Sequence, residues 1–168
     1  MAQPRTVYIV RHAVAAERGD RWPDDAARPV THAGAARMRE AAKGLAALDV
    51  EPDLILSSPL VRAVETAEIL AKGVKSSPRL VTSPALSPGG TPAAVAGALA
   101  SLGKGPSIAV VGHEPGLGEL AAWLIGARRP LPFKKGGVCR IDLAEWPPVA
   151  RGGTLLWLAT PKMLRALG

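Results

Sequence analysis

Cysteine is nearly absent. Cys139 is the single one in 168 residues, so no internal disulfide can form, and no cluster of Cys and His has the spacing of a metal site. Within the run Val138-Cys139-Arg140-Ile141 it is expected to be a small buried hydrophobe. Aromatic residues are scarce too: Tyr8, Phe133 and four Trp make up 4% of the chain. No nucleic-acid-binding motif interleaves them with the cations. No apolar run approaches the ~18 residues of a membrane span. Met1-Ala2-Gln3-Pro4-Arg5 lead into the first apolar segment without the h-region or cleavage site of a secretion signal. The expectation is a cytoplasmic protein without membrane or nucleic-acid partners.

Negative charge is the minority sign, with 14 Asp and Glu against 21 Lys and Arg and a net charge of +7. That excess suits an acidic ligand such as nucleic acid, a phosphorylated molecule or an anionic surface, and it suits a solvated basic surface equally well. The sign does not choose, so position must. With 48% apolar and 21% charged residues the composition is globular, and residues 1–168 are read as one domain.

Strand and helix signals alternate along the chain. Val7-Tyr8-Ile9-Val10 reads as a strand buried on both faces. Thr31 is placed to cap a helix over 32–48, in which Ala35, Met38, Ala42 and Leu45 recur at helical spacing. Asp53 to Leu56 reads as a second strand, followed by Ser58-Pro59 as N-cap and first-turn proline of a helix with Leu60, Val64, Ala67 and Ala71 on one face. Leu80 to Thr82 is a short strand, Ser83 to Pro92 a loop, and Val95, Ala98, Leu99 and Leu102 mark a third helix. Ser107 to Gly112 is the strongest buried strand, and Leu117, Leu120, Ala121, Leu124 and Ile125 give the helix after it. Gly137 to Leu143 and Thr154 to Ala159 read as two strands added antiparallel at one edge. The fold class is therefore α/β: three layers, a mostly parallel sheet with helices on both faces. Ligands of such sheets bind outside the carboxyl ends of the strands.

Those ends carry unusual tips. The first strand ends in Arg11-His12, the second in Ser57-Ser58 with Arg62 on the following helix, and the fourth in Gly112-His113-Glu114-Pro115. Two guanidiniums suit a phosphoryl group and the charge that spreads over its oxygens during transfer. A neutral imidazole can attack phosphorus, and a second one, if protonated, adds charge at the same oxygens. The pattern reads as phosphoryl transfer through a phosphohistidine, without a metal or other cofactor.

Arg11-His12, Arg62 and His113 resemble the four-residue core of the histidine phosphatase superfamily, the phosphoglycerate mutase-like fold. The segments RHAVA, RPVTHAG at 28–34, SSPLVRAVETAEIL at 57–70 and VVGHEPGLGEL at 110–120 resemble its SixA-type phosphohistidine phosphatase branch, and together they form a specific signal. The resemblance implies that His12 is the nucleophile, that Arg11 and Arg62 bind the phosphoryl group, and that His113 binds it and assists electrostatically. It also implies a phosphorylated protein or a small phosphorylated substrate. The superfamily has Gly after the nucleophile where this chain has Ala13, whose methyl constrains the loop.

A separate proton donor is harder to place. Mutase and phytase-like branches supply a carboxylate, often under a helical cap, and the 50 residues 63–112 leave no room for a large one. Glu114 is the nearest candidate acid and substrate contact, with Asp24 and Asp25 behind it. Arg18 and Arg28 are open to substrate contact or to surface ion pairing. Trp22 is read as a wall of the pocket or a cover of the core, and His32 as a surface residue. GLGELA at 116–121 has the form of a dinucleotide fingerprint, but no ribose-binding acid follows it, so its glycines are expected to ease helix-to-sheet packing. The expected function is a metal-independent phosphohydrolase acting on protein phosphohistidine. Its rivals are a small-molecule phosphomonoesterase or phosphate-chain hydrolase, and a non-catalytic phospho-ligand binding module.

Overall fold

The computed structural model describes residues 5–103, 105 and 107–168; the lead-in from Met1 to Pro4 read above lies outside them. The elements run β1 (Arg5–Arg11), α1 (His32–Ala47), β2 (Leu54–Ser57), α2 (Val61–Gly73), β3 (Arg79–Thr82), α3 (Pro92–Ser101), β4 (Ser107–Gly112), α4 (Gly116–Ile125), β5 (Val138–Leu143), β6 (Gly153–Ala159) and α5 (Pro161–Arg165). They form a six-stranded sheet in the order β3-β2-β4-β1-β5-β6. The first four strands in that order pair parallel, while β5 joins β1 and β6 joins β5 antiparallel. The antiparallel edge is where the sequence places it.

Alternation along the strands divides the core. Val7, Ile9, Leu56 and Val110 face one layer with Leu99 of α3 and Leu120 and Leu124 of α4. Tyr8, Val10, Ile55 and Val111 face the other, with Met38 and Leu45 of α1, Ala67 and Leu70 of α2 and Leu164 of α5. Helices thus cover both faces of a sheet whose central strands are buried throughout. The order β2-β4-β1 also sets the site, since it makes neighbours of the three strands whose tips carry Ser58, His113 and His12. Backbone bonds carry the ladder past the strand ends, from His12 N–H to Gly112 O at 3.1 Å and from Ser58 N–H to Val111 O at 2.9 Å.

Three local expectations need correction. Ser58 does not cap α2: the helix starts at Val61 after Leu60, with no side-chain cap, because the Ser58 hydroxyl points into the site. The buried stripe of α2 is Arg62, Ala63, Thr66, Ala67 and Leu70, rotated from the apolar set Leu60, Val64, Ala67 and Ala71, because Arg62 and Thr66 turn inward at the catalytic end. Gly118 makes room for the connection after α4, not for the sheet: a Cβ there would strike the Leu131 carbonyl oxygen, and Leu131 N–H bonds Gly118 O at 3.1 Å. Thr31 does cap α1, its hydroxyl accepting from Gly34 N–H at 2.9 Å. The short turns of helix at Asp25–Ala27 and Pro84–Leu86, and α5, follow no periodicity long enough to read in sequence.

Candidate active site

Arg11, His12, Arg62 and His113 line one cavity of about 390 Å³ at the carboxyl ends of the strands. The four residues singled out at the three strand tips thus meet. Glu114, Arg18, Arg28 and Lys135 also border it.

His12 is buried, and its Nδ1 lies 2.7 Å from the Ala13 carbonyl oxygen. Only an N–H can satisfy that oxygen, so Nδ1 carries the proton and Nε2 keeps its lone pair. Burial lowers the imidazole to about 4, with Arg62, Arg11 and Lys135 pushing the same way and the Ala13 bond opposing. Near neutral pH His12 is therefore uncharged and nucleophilic. Ala13 adopts no left-handed backbone, so its methyl is accommodated, and its N–H donates to the Thr66 hydroxyl at 3.0 Å. Thr66 in turn donates to Arg62 O at 2.7 Å, so the loop after β1 is tied to α2.

His113 faces His12 with ring centroids 5.2 Å apart. Its Nε2 lies 2.8 Å from Ser58 Oγ. That oxygen also accepts from Leu60 N–H at 3.2 Å; in the tautomer where the hydroxyl donates to Nε2, the ring proton sits on Nδ1. Nδ1 is buried with no partner. Burial first, then the nearby His12 and Arg62, lower His113 to about 3. Near neutral pH His113 is therefore uncharged, in place of the imidazolium that sequence reasoning allowed, and in that tautomer its Nδ1–H is a donor.

The two arginines are held from behind. Arg11 Nη1 donates to Phe133 O at 2.7 Å. Arg62 donates to Asp25 twice, from Nη1 to the carbonyl oxygen at 2.8 Å and from Nη2 to Oδ2 at 3.1 Å. In both, Nε is buried and unpartnered. Leaving buried donors unpaired costs about 1–3 kcal/mol each, and Arg11 Nε, Arg62 Nε and His113 Nδ1 all belong to residues lining the same cavity. An anion with three acceptor oxygens matches that number of unpaired nitrogens.

Sequence reasoning missed three residues of this arrangement: Asp25 in its structural role, Ser58 and Thr66. Asp25 is the hub, because its Oδ1 also pairs with Arg28 Nε at 2.9 Å and with Arg18 Nε at 3.3 Å. Burial works to raise its carboxyl, but the hydrogen bonds from Arg28 and Arg62 outweigh that and hold it below the usual range. An acid held ionised is a poor proton donor. Glu114 differs: burial raises its carboxyl, against the Gly118 N–H bond at 2.8 Å and the nearby Arg11. Asp24 only caps the short turn that follows it, accepting from Ala26 N–H at 3.0 Å. Arg28 and Arg18 both make the ion pairing considered for them, through Asp25, and both border the cavity. Trp22 does neither: it is half-buried, belongs neither to the cavity wall nor to the core clusters, and its backbone N–H donates to Gly19 O at 2.9 Å. His32 is exposed and Cys139 fully buried, its thiol raised to about 12 mainly by burial.

Comparison with known proteins gives a consistent answer. Residues 7–87 match the family model of the histidine phosphatase superfamily (branch 1). The chain is 30% identical over 166 residues to phosphohistidine phosphatase SixA of Escherichia coli, covering 96% of this chain and 99% of that one. It is 35% identical over 136 residues to an uncharacterized protein of a Picosynechococcus species, covering 79% and 81% of the two chains. A solved structure of the protein histidine phosphatase SixA complexed with tungstate superposes with a TM-score of 0.81 at 29% identity, covering 94% of this chain and 97% of that one.

Proposed function

The chain belongs to the histidine phosphatase superfamily, in its SixA-type branch, and is a phosphatase; on that premise we propose that residues 1–168 act as one cytoplasmic catalytic domain whose substrate is phosphohistidine on a protein. The observation that carries the reading is the set of three unpartnered buried nitrogens, on Arg11, Arg62 and His113, residues that line one cavity with a neutral His12 whose Nε2 is free. In this proposal the phosphoryl oxygens accept from those three donors. His12 Nε2 attacks phosphorus in line, the substrate P–N bond breaks, and the departing imidazole keeps its own ring proton to leave neutral. Water then attacks phosphorus on His12, the new P–N bond breaks, and phosphate leaves. Charge on the equatorial oxygens is met by fixed donors, which is where such a site gains most of its rate.

Two further features support a protein substrate. Similarity to the phosphohistidine phosphatase SixA extends over nearly the whole chain. The residues lining the cavity come from the strand tips, the loops after them and the first turn of α2, so its mouth admits a side chain projecting from a folded surface. One observation favours the rival, a small phosphomonoester: Glu114, on the cavity wall with its carboxyl raised, is placed to protonate an alkoxide. A kinetic panel at one pH separates the two. We expect kcat/KM for a phosphohistidine peptide to exceed that for an alkyl phosphate by at least about a hundredfold, the lower end of what proton delivery contributes, with aryl phosphates between. Glu114→Gln should depress the alkyl activity selectively. Equal or better turnover of the alkyl phosphate would overturn the phosphohistidine assignment. Guanidinium and imidazole donors stand where charge on the phosphoryl oxygens must be neutralised, so turnover is expected to survive exhaustive chelation. Loss on chelation, restored by one metal, would contradict that part.

A further inference from the structure

A second, smaller groove of about 60 Å³ adjoins the catalytic cavity and shares Lys135 with it. Its other cations are Arg37 of α1 and Arg165 of α5, and no carboxylate lines it among the described residues. The contrast with the catalytic mouth is sharp, because there Arg18, Arg28 and Arg62 all fall on Asp25. Among the described residues no carboxylate pairs with Arg37, Lys135 or Arg165.

The groove is fixed to the catalytic strand by one residue. Gly136 lines it and has φ +82, in the left-handed region that favours glycine. The Gly136 N–H is shared between Arg11 O at 3.1 Å and His12 O at 3.0 Å. Whatever occupies the groove is therefore held in register with His12. Its volume is that of roughly two waters, which suits a carboxylate head and not a whole peptide.

We propose that this groove binds an acidic side chain, Asp or Glu, lying next to the phosphohistidine on the partner protein, so that the phosphatase recognises phosphohistidine in an acidic setting. The proposal rests on the phosphohistidine reading and adds the neighbourhood that reading lacks. Exposed ion pairs are individually weak, and a cluster of three cations facing an acidic flank gives about tenfold in apparent affinity, screened by salt.

The test uses the full chain and two synthetic peptides of equal length with a central phosphohistidine, one flanked by Asp and Glu and the other by Asn and Gln, with p-nitrophenyl phosphate as a third substrate. The wild type should prefer the acidic peptide about tenfold in kcat/KM, chiefly through KM, and lose the preference as salt rises past ~0.1 M, where the screening length is ~10 Å. Arg37→Glu with Arg165→Glu should abolish or invert the preference, and the milder Arg37→Gln with Arg165→Gln should shrink it, while both leave aryl phosphate turnover unchanged. Equal turnover of the two peptides by the wild type, or an undiminished preference in the variants, would overturn the groove assignment and leave the phosphohistidine reading standing. Hydrolysis of the aryl phosphate with neither peptide accepted would overturn both.

Discussion

At the scale of single residues the site separates reactive groups from the groups that aim them. His12 can be neutral at physiological pH only because burial disfavours its charged form more strongly than the Ala13 bond favours it. Arg62 can present its Nε edge only because Asp25 occupies its two terminal nitrogens. We predict that Asp25→Asn lowers kcat/KM about ten- to hundredfold, as misplacement of a bound group by a fraction of an ångström does, and by the same factor for phosphohistidine, aryl and alkyl substrates. A loss confined to the alkyl phosphate would make Asp25 a proton donor instead. Arg62→Lys should recover little over Arg62→Ala, because a point charge cannot keep both the Asp25 contact and the phosphoryl contact. Arg11, His12, Arg62 and His113 are legible in sequence because each follows closely on a buried apolar run where a charged or titratable side chain is out of place. Asp25, Ser58 and Thr66 are not, because their partners lie 37, 55 and 53 residues away and ordinary polar residues in loops and helices carry no local mark of such contacts.

At the scale of elements the loop after β1 is the part most tightly specified. The Val14 carbonyl accepts from Thr31 N–H at 2.9 Å, and a Cβ on Gly34 of α1 would run into that same oxygen. Gly→Ala inside a helix ordinarily stabilises by up to ~1 kcal/mol. Gly34→Ala should do the opposite here, destabilising by about 1–3 kcal/mol as overpacking does, and lowering turnover because the displaced segment begins two residues after His12. Denaturant unfolding gives the sign directly: a raised midpoint would mean that α1 and the loop are not pressed together. The same close contacts explain what the sequence pattern misses in α2. Apolar spacing points to the stripe from Leu60 to Ala71, whereas the helix buries Arg62 and Thr66; a hydrophobic pattern cannot register polar residues that are buried because a site needs them. The strand positions and the antiparallel edge follow the pattern, since burial on both faces writes itself as β-branched runs.

At the scale of the whole molecule, a net charge of +7 surrounds a cavity whose two imidazoles resist protonation. His12 and His113 are lowered to about 4 and about 3 when folded, against about 6.5 in an unfolded chain. Well above pH ~6.5 both states are neutral and the histidines contribute nothing to the pH dependence. As pH falls from there toward about 4, the unfolded chain takes up protons that the folded one refuses, so stability should decline, by an order of 3 kcal/mol for His12 alone. His12→Asn should flatten the decline, and saturating phosphate should oppose it by binding only the folded state; unfolding midpoints at a series of pH values check both, and a curve flat across that window would contradict the burial argument. The central claim remains that the free Nε2 of His12 takes the phosphoryl group during turnover. It is tested most directly by quenching the enzyme without acid during hydrolysis of a labelled phosphohistidine peptide, digesting it and locating the label by mass spectrometry. The account predicts label on His12, at Nε2, with none trapped in His12→Ala; label on another residue, or turnover by His12→Ala at the wild-type rate, would contradict it.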